Sequence, residues 1–171
     1  MEFPRPVWLK ALVKSILPPR YQRRFQRRPA APVTRLDVVK LPVQNQVYLE
    51  VYWKAVGLGT GPSLIFNAYG QEALRFDCLG PGGHGHITLV QPDGPAQDRI
   101  FLPEKTIEAQ IERALFELDT NLVYWLQRNP DARLRRLRVD RDALQKNLVT
   151  ARDLMRTYAE RAIQATLVSQ S

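Results

Sequence analysis

Four side chains in one short stretch have the types and spacing for chemistry. They are Arg75, Asp77, His84 and His86, within 72–90 (EALRFDCLGPGGHGHITLV), and the two histidines are the only ones in the chain. Successive side chains of a strand point to opposite faces. In 72–78, Leu74, Phe76 and Cys78 therefore share one face, and Arg75 and Asp77 share the other. In 84–90, Ile87 and Leu89 point one way, while His84, His86 and Thr88 point the other. If the two strands pair and both bury their apolar sides, Arg75, Asp77, His84 and His86 converge on the second face. The intervening 79–83 (LGPGG) has three glycines for a tight return.

Three chemistries suit such a set. A histidine pair with a carboxylate and a guanidinium can do acid–base work near neutral pH. His-x-His also places two imidazoles on one side of a strand, as a metal site needs. Or the four residues form the ordinary polar side of a sheet, with Asp77 paired to Arg75 or a histidine. Two histidines and one carboxylate are a thin ligand set, and the single Cys78 alternates onto the opposite face. No metal and no cofactor is therefore expected, and the candidate catalytic residues are His84, His86, Asp77 and Arg75.

The elements that must position these residues can be read from the pattern around them. The chain has 171 residues, enough for one domain with a core that needs no staples. One cysteine excludes an internal disulfide and fits a reducing, cytoplasmic setting. The longest uninterrupted aliphatic or aromatic run is 122–126, so no transmembrane segment is expected. Segment 33–43 reads as a short edge strand, limited by Pro42. In 47–54 (VYLEVYWK), Val47, Leu49, Val51 and Trp53 alternate with Tyr48, Glu50, Tyr52 and Lys54, the clearest strand pattern in the chain. Gly57, Gly59 and Gly61 mark a hairpin loop before the strand 63–69. Segment 91–97 reads as a loop, because it holds two prolines and a glycine, and 98–102 as a short closing strand.

Helical spacing then takes over. Pro103 suits a first helical position, and the apolar residues from Ile107 to Leu126 predict one helix over 103–128, of about 25 residues and about 37 Å. Arg133, Arg135, Arg136 and Arg138, with Asp131, Asp140 and Asp142 among them, read as a solvated connector, and Asp140 as the cap of a second long helix over 140–168. The expected fold class is α+β: an antiparallel meander of four to five strands over 33–102, packed by two long antiparallel C-terminal helices.

The charge lies elsewhere. Of the net +8, residues 1–30 carry +7, which leaves the remaining chain near neutral. An arm over 1–32 is expected, with Trp8, Leu9, Leu12, Val13 and Ile16 at helical spacing, then Arg20, Arg23, Arg24, Arg27 and Arg28 around Tyr21 and Phe25. Lysines interrupt its apolar part, so it does not read as a signal peptide. Three roles stand open. The arm can bind nucleic-acid phosphate through the five arginines, lie peripherally on an anionic membrane, or pack its apolar face on the domain.

The stretches ALRFD (73–77) and GPGGHGHI (80–87) resemble the TumE-type family of toxins from bacterial toxin–antitoxin systems. The resemblance covers about 47–125. It implies a small α+β protein that acts on RNA and is neutralised by an antitoxin, with Arg75, Asp77, His84 and His86 as its polar cluster. The chain departs from that pattern at Cys78 and Gly83, and in carrying the basic arm and the last long helix. The two functions expected are an RNA-acting, toxin-like protein with a His-x-His sheet site, and a non-catalytic module whose arm binds nucleic acid, an anionic membrane or an acidic protein.

Overall fold

In a computed structural model, the structure describes residues 35–56, 59–91 and 94–168, with the side chains of 88–98 and 162–168 outside the description. The expected arm over 1–32, including Arg20, Arg23, Arg24, Arg27 and Arg28, lies outside the described residues. The described chain is an α+β fold of six strands and four helices. The strands are β1 (Arg35–Gln44), β2 (Val47–Val56), β3 (Gly59–Ala68), β4 (Gln71–Asp77), β5 (His84–Gln91) and β6 (Gly94–Phe101). They form one antiparallel meander in chain order.

The sheet has one strand more than the upper expected count of five, and β5 and β6 extend into 91–97, which was expected as a loop. Val90 pairs with Pro95 and Gln91 with Gly94, so the β5–β6 ladder reaches into that segment from both sides. Proline is tolerated there because β6 is an edge strand, whose outward side needs no N–H donor. The β3–β4 turn at Tyr69-Gly70 has φ of 53° and 76°, the pair of positive values a two-residue hairpin with the native twist demands.

The helices are α1 (Ile107–Thr120), α2 (Leu122–Gln127), α3 (Ala132–Arg135) and α4 (Arg141–Val168). The single helix expected over 103–128 is two. It starts four residues late because Thr106, not Pro103, opens it: the Thr106 hydroxyl accepts from Ala109 N at 3.2 Å. It breaks at Asn121, whose amide donates to Glu117 at 3.0 Å while Trp125 Nε1 donates to the same carboxylate at 2.8 Å. Asp140 caps α4 as its position suggests, accepting from Ala143 N at 3.0 Å.

The core lies between one sheet face and α1 and α4. Leu49, Val51, Leu64, Phe66, Leu74, Phe76 and Ile87 meet Ile111, Ala114, Leu118, Leu144, Ala151 and Met155, all buried. Arg152 bonds Glu112 at 3.0 Å and Arg156 bonds Glu108 at 2.8 Å, so α1 and α4 run antiparallel. The helices therefore cover the face of Leu74, Phe76 and Ile87, and the face of Asp77 and the histidines is the one opposite.

No described helix is long and apolar enough to cross a membrane.

Candidate functional site

Register brings the four predicted residues together. Asp77 pairs with His84 and Arg75 with His86 across β4 and β5. Pairing continues through β3 to β2, so two rungs cross the sheet. Tyr52, Ser63, Asp77, His84 and Phe101 form one, and Glu50, Ile65, Arg75, His86 and Arg99 the other.

This face is not a solvated polar surface. Asp77 is fully buried, and His84, His86, Lys54, Tyr52 and Ser63 are buried with it. Arg75 is the member nearest the exterior, its side chain 18% exposed.

Asp77 is the hub. Its Oδ1 accepts from Ser63 Oγ at 2.7 Å. Four nitrogens surround Oδ2: Lys54 Nζ at 2.6 Å, and Arg75 Nε, His84 Nε2 and His86 Nε2 each at 3.3 Å. None of the four is aligned as a hydrogen bond to Oδ2, so charge more than directional bonding holds them. Arg75 is steadied from the other side by Glu72 at 2.9 Å, and Arg35 by Glu50 at 2.6 Å.

His84 is fixed at both nitrogens. Its Nδ1 lies 2.7 Å from the Gly82 carbonyl and its Nε2 faces Asp77. With the carbonyl as acceptor, Nδ1–H is the donor there, and the contact directs Nε2 at Asp77. Gly82 belongs to a 3-10 turn (Gly80–Gly82) that Gln110 of α1 clamps. Gln110 is fully buried; its amide accepts from Gly80 N at 3.0 Å and donates to Gly80 O at 2.5 Å and Glu104 O at 2.7 Å. A chain of contacts thus runs from the helix layer through the turn to the imidazole.

Two glycines permit close approaches beside the cluster. A Cβ at Gly61 would lie 2.1 Å from the Cys78 carbonyl oxygen. Gly61 sits opposite Lys54, and its bare Cα lets the backbone of Cys78, next to Asp77, approach β3 closely. A Cβ at Gly83 would lie 2.2 Å from the Gln110 amide.

Burial pushes the Asp77 carboxyl toward neutrality, but His84, His86, Arg75 and Lys54 together hold it far below the usual carboxylate range. Burial lowers His86 below the ordinary imidazole value against the opposing pull of Asp77, and it lowers Lys54 in the same way. Tyr52 is pushed up to about 12, first by burial and then by the charge of Asp77. Cys78 is buried on the core face, where burial pushes its thiol up, so it takes no part.

No protein-family model matches this chain, and no curated protein or solved structure is detectably similar to it.

The sequence pattern did not connect Lys54, Ser63 and Gln110 to the site. Alternation does place Lys54 on the face opposite Val47, Leu49, Val51 and Trp53, and that was the available signal. Linking it to Asp77 requires the β2–β3–β4 register, and Gln110 enters from a helix thirty residues away from its partners at Gly80. Among the described residues, Asp77, His84 and His86 are also the group whose donor atoms, all within 4.8 Å of one another, can close around a metal ion.

Proposed function

We propose that the protein is an RNA-acting, toxin-like enzyme that cleaves a phosphodiester by histidine acid–base catalysis. One observation carries the reading: two histidines, a lysine and an arginine gather on a single carboxylate oxygen on one buried sheet face. His86, lowered by burial, supplies the neutral base that takes the proton of the attacking 2′-hydroxyl. His84, with acceptors at both nitrogens, is the donor that protonates the leaving 5′-oxygen. Lys54 and Arg75 stabilise the extra charge of the phosphorane, and Asp77 orients the rings. Arg75, the partly exposed member, is where phosphate arrives. The resemblance of 73–87 to the TumE-type toxins supports the same substrate class and a neutralising, antitoxin-like protein partner in the cytoplasm.

The test is cleavage of RNA by the purified chain at low and moderate salt, beside the His84→Ala/His86→Ala double variant. Cleavage lost in the variant, with unchanged circular dichroism, is the expected result. Cleavage retained by the variant would sink the proposal. The charge of 1–30 favours a second reading, a binding module whose arm docks on nucleic acid, an anionic membrane or an acidic protein. Binding that fades with salt, with no cleavage by either protein, would transfer the function to the arm.

A further inference from the structure

We propose that Asp77, His84 and His86 bind a divalent transition ion of the zinc class. The proposal goes beyond RNA cleavage and does not depend on it.

Three independent features of the cluster point to an ion. The first is spacing. Asp77 Oδ2 lies 3.3 Å from His84 Nε2 and 3.3 Å from His86 Nε2. Two ligands at the corners of a tetrahedron with bonds of about 2.05 Å stand about 3.3 Å apart. The three donor atoms all lie within 4.8 Å of one another, so the remaining histidine–histidine edge closes by a ring rotation of modest size.

The second feature is the convergence of both imidazoles on one buried carboxylate oxygen. Asp77 Oδ2 is buried with no aligned donor, although four nitrogens stand around it. An ion needs no such alignment from its ligand, and it satisfies the oxygen and both imidazoles at once. The third feature is the outer contacts. Ser63 Oγ holds Oδ1 at 2.7 Å, which turns Oδ2 inward. The Gly82 carbonyl holds His84 Nδ1 at 2.7 Å, which presents Nε2 to the same point. Bonds of this kind fix tautomer and direction in histidine–metal sites.

Nitrogen and carboxylate donors in a two-to-one ratio suit the borderline divalent ions and leave coordination positions open for water. The ion must displace one cation. Lys54 Nζ, 2.6 Å from Oδ2, sits closest, on a flexible four-carbon stem. Arg75 keeps its bond to Glu72 at 2.9 Å and stays in place. Ion and acid–base pair use the same nitrogens, so occupancy silences the proposed cleavage and provides a means of control.

The experiment is titration of the untagged full-length chain with cobalt near neutral pH, read by its visible d–d absorption, followed by displacement with zinc. A saturable band that zinc abolishes is expected. His84→Ala and His86→Ala should each weaken binding about 100-fold. Lys54→Met removes the competing ammonium and should tighten it about tenfold, which an adventitious histidine site would not show. The wild-type chain supplies a readout that needs no variant: the Hε1 resonances of both histidines should shift together on adding zinc. No band at millimolar cobalt, a band untouched by either histidine change, or a zinc shift at one histidine alone would overturn the proposal. RNA is absent throughout, so failure here leaves the cleavage reading standing, and failure of cleavage leaves this one.

Discussion

A carboxylate taken wholly out of water survives ionised only if its neighbours replace the water. Asp77 has four nitrogens at one oxygen and a hydroxyl at the other, and that replacement ties protonation to stability. The linkage has a definite sign. His86 titrates lower in the folded chain than the ordinary 6.5 of an unfolded one, so its stabilisation is complete above about pH 6.5 and is lost as pH falls through the lower folded value. Asp77 is also depressed, from an unfolded value of about 3.9, so its larger contribution is lost only in stronger acid. The wild-type chain should therefore lose stability in two stages on acidification, one beginning below about pH 6.5 and one below about pH 4. His86→Gln should abolish the upper stage and keep the lower. Urea midpoints across pH 3–8 measure both, and an upper stage of equal slope in the variant would exclude His86 as its origin.

Site and helix layer communicate through the turn between β4 and β5, which makes that turn the element on which the histidines depend. Gly83 has an ordinary φ of −63°, so its requirement is space and not backbone freedom. A methyl there collides with the Gln110 amide, and Gln110 in turn holds both polar groups of Gly80. Gly83→Ala should cost about 1–3 kcal/mol, as overpacking in a closed site does, visible as a lowered urea midpoint; an unchanged midpoint would show that the clamp gives freely. This dependence explains what was legible in the sequence. Alternation alone placed Arg75, Asp77, His84 and His86 on one face, because both strands bury a clear apolar side and a slip by one residue would expose Leu74, Phe76 and Ile87. The helix–sheet division and the antiparallel α1–α4 pairing were legible for the same reason, a sustained change of hydrophobic period. Loop and helix ends were not. Pro95 reads as a loop residue until β6 is known to be an edge, and the break at Asn121 depends on Glu117 and Trp125 meeting in space. Burial of the polar face was illegible too, since residue type alone gives Lys54 and Glu50 to solvent.

At the scale of the whole molecule, charge and candidate chemistry are separated along the chain. Residues 1–30 hold +7 of the net +8, whereas the cluster around Asp77 balances its own charges, Lys54 and Arg75 against Asp77 and Glu72. A balanced cluster exerts little long-range pull on a polyanion, so the proposed function assigns affinity for RNA to the arm and chemistry to the sheet. The two are then separable by substitution. Replacing Arg20, Arg23, Arg24, Arg27 and Arg28 together with glutamine removes up to five phosphate contacts. For a single strand, each contact contributes about 0.7 to the slope of log affinity against log salt, so the slope should fall by about 3.5. The same variant should keep its cleavage rate at saturating RNA, because the proposed chemistry rests on Lys54, Arg75, Asp77, His84 and His86. Fluorescence anisotropy on a labelled single strand, over a series of salt concentrations, measures the slope, and single-turnover cleavage measures the rate. A slope left unchanged would mean that the arginines face something other than RNA. A saturated rate that collapses with an altered slope would mean that arm and sheet act as one site, and the division of labour between them would have to be abandoned.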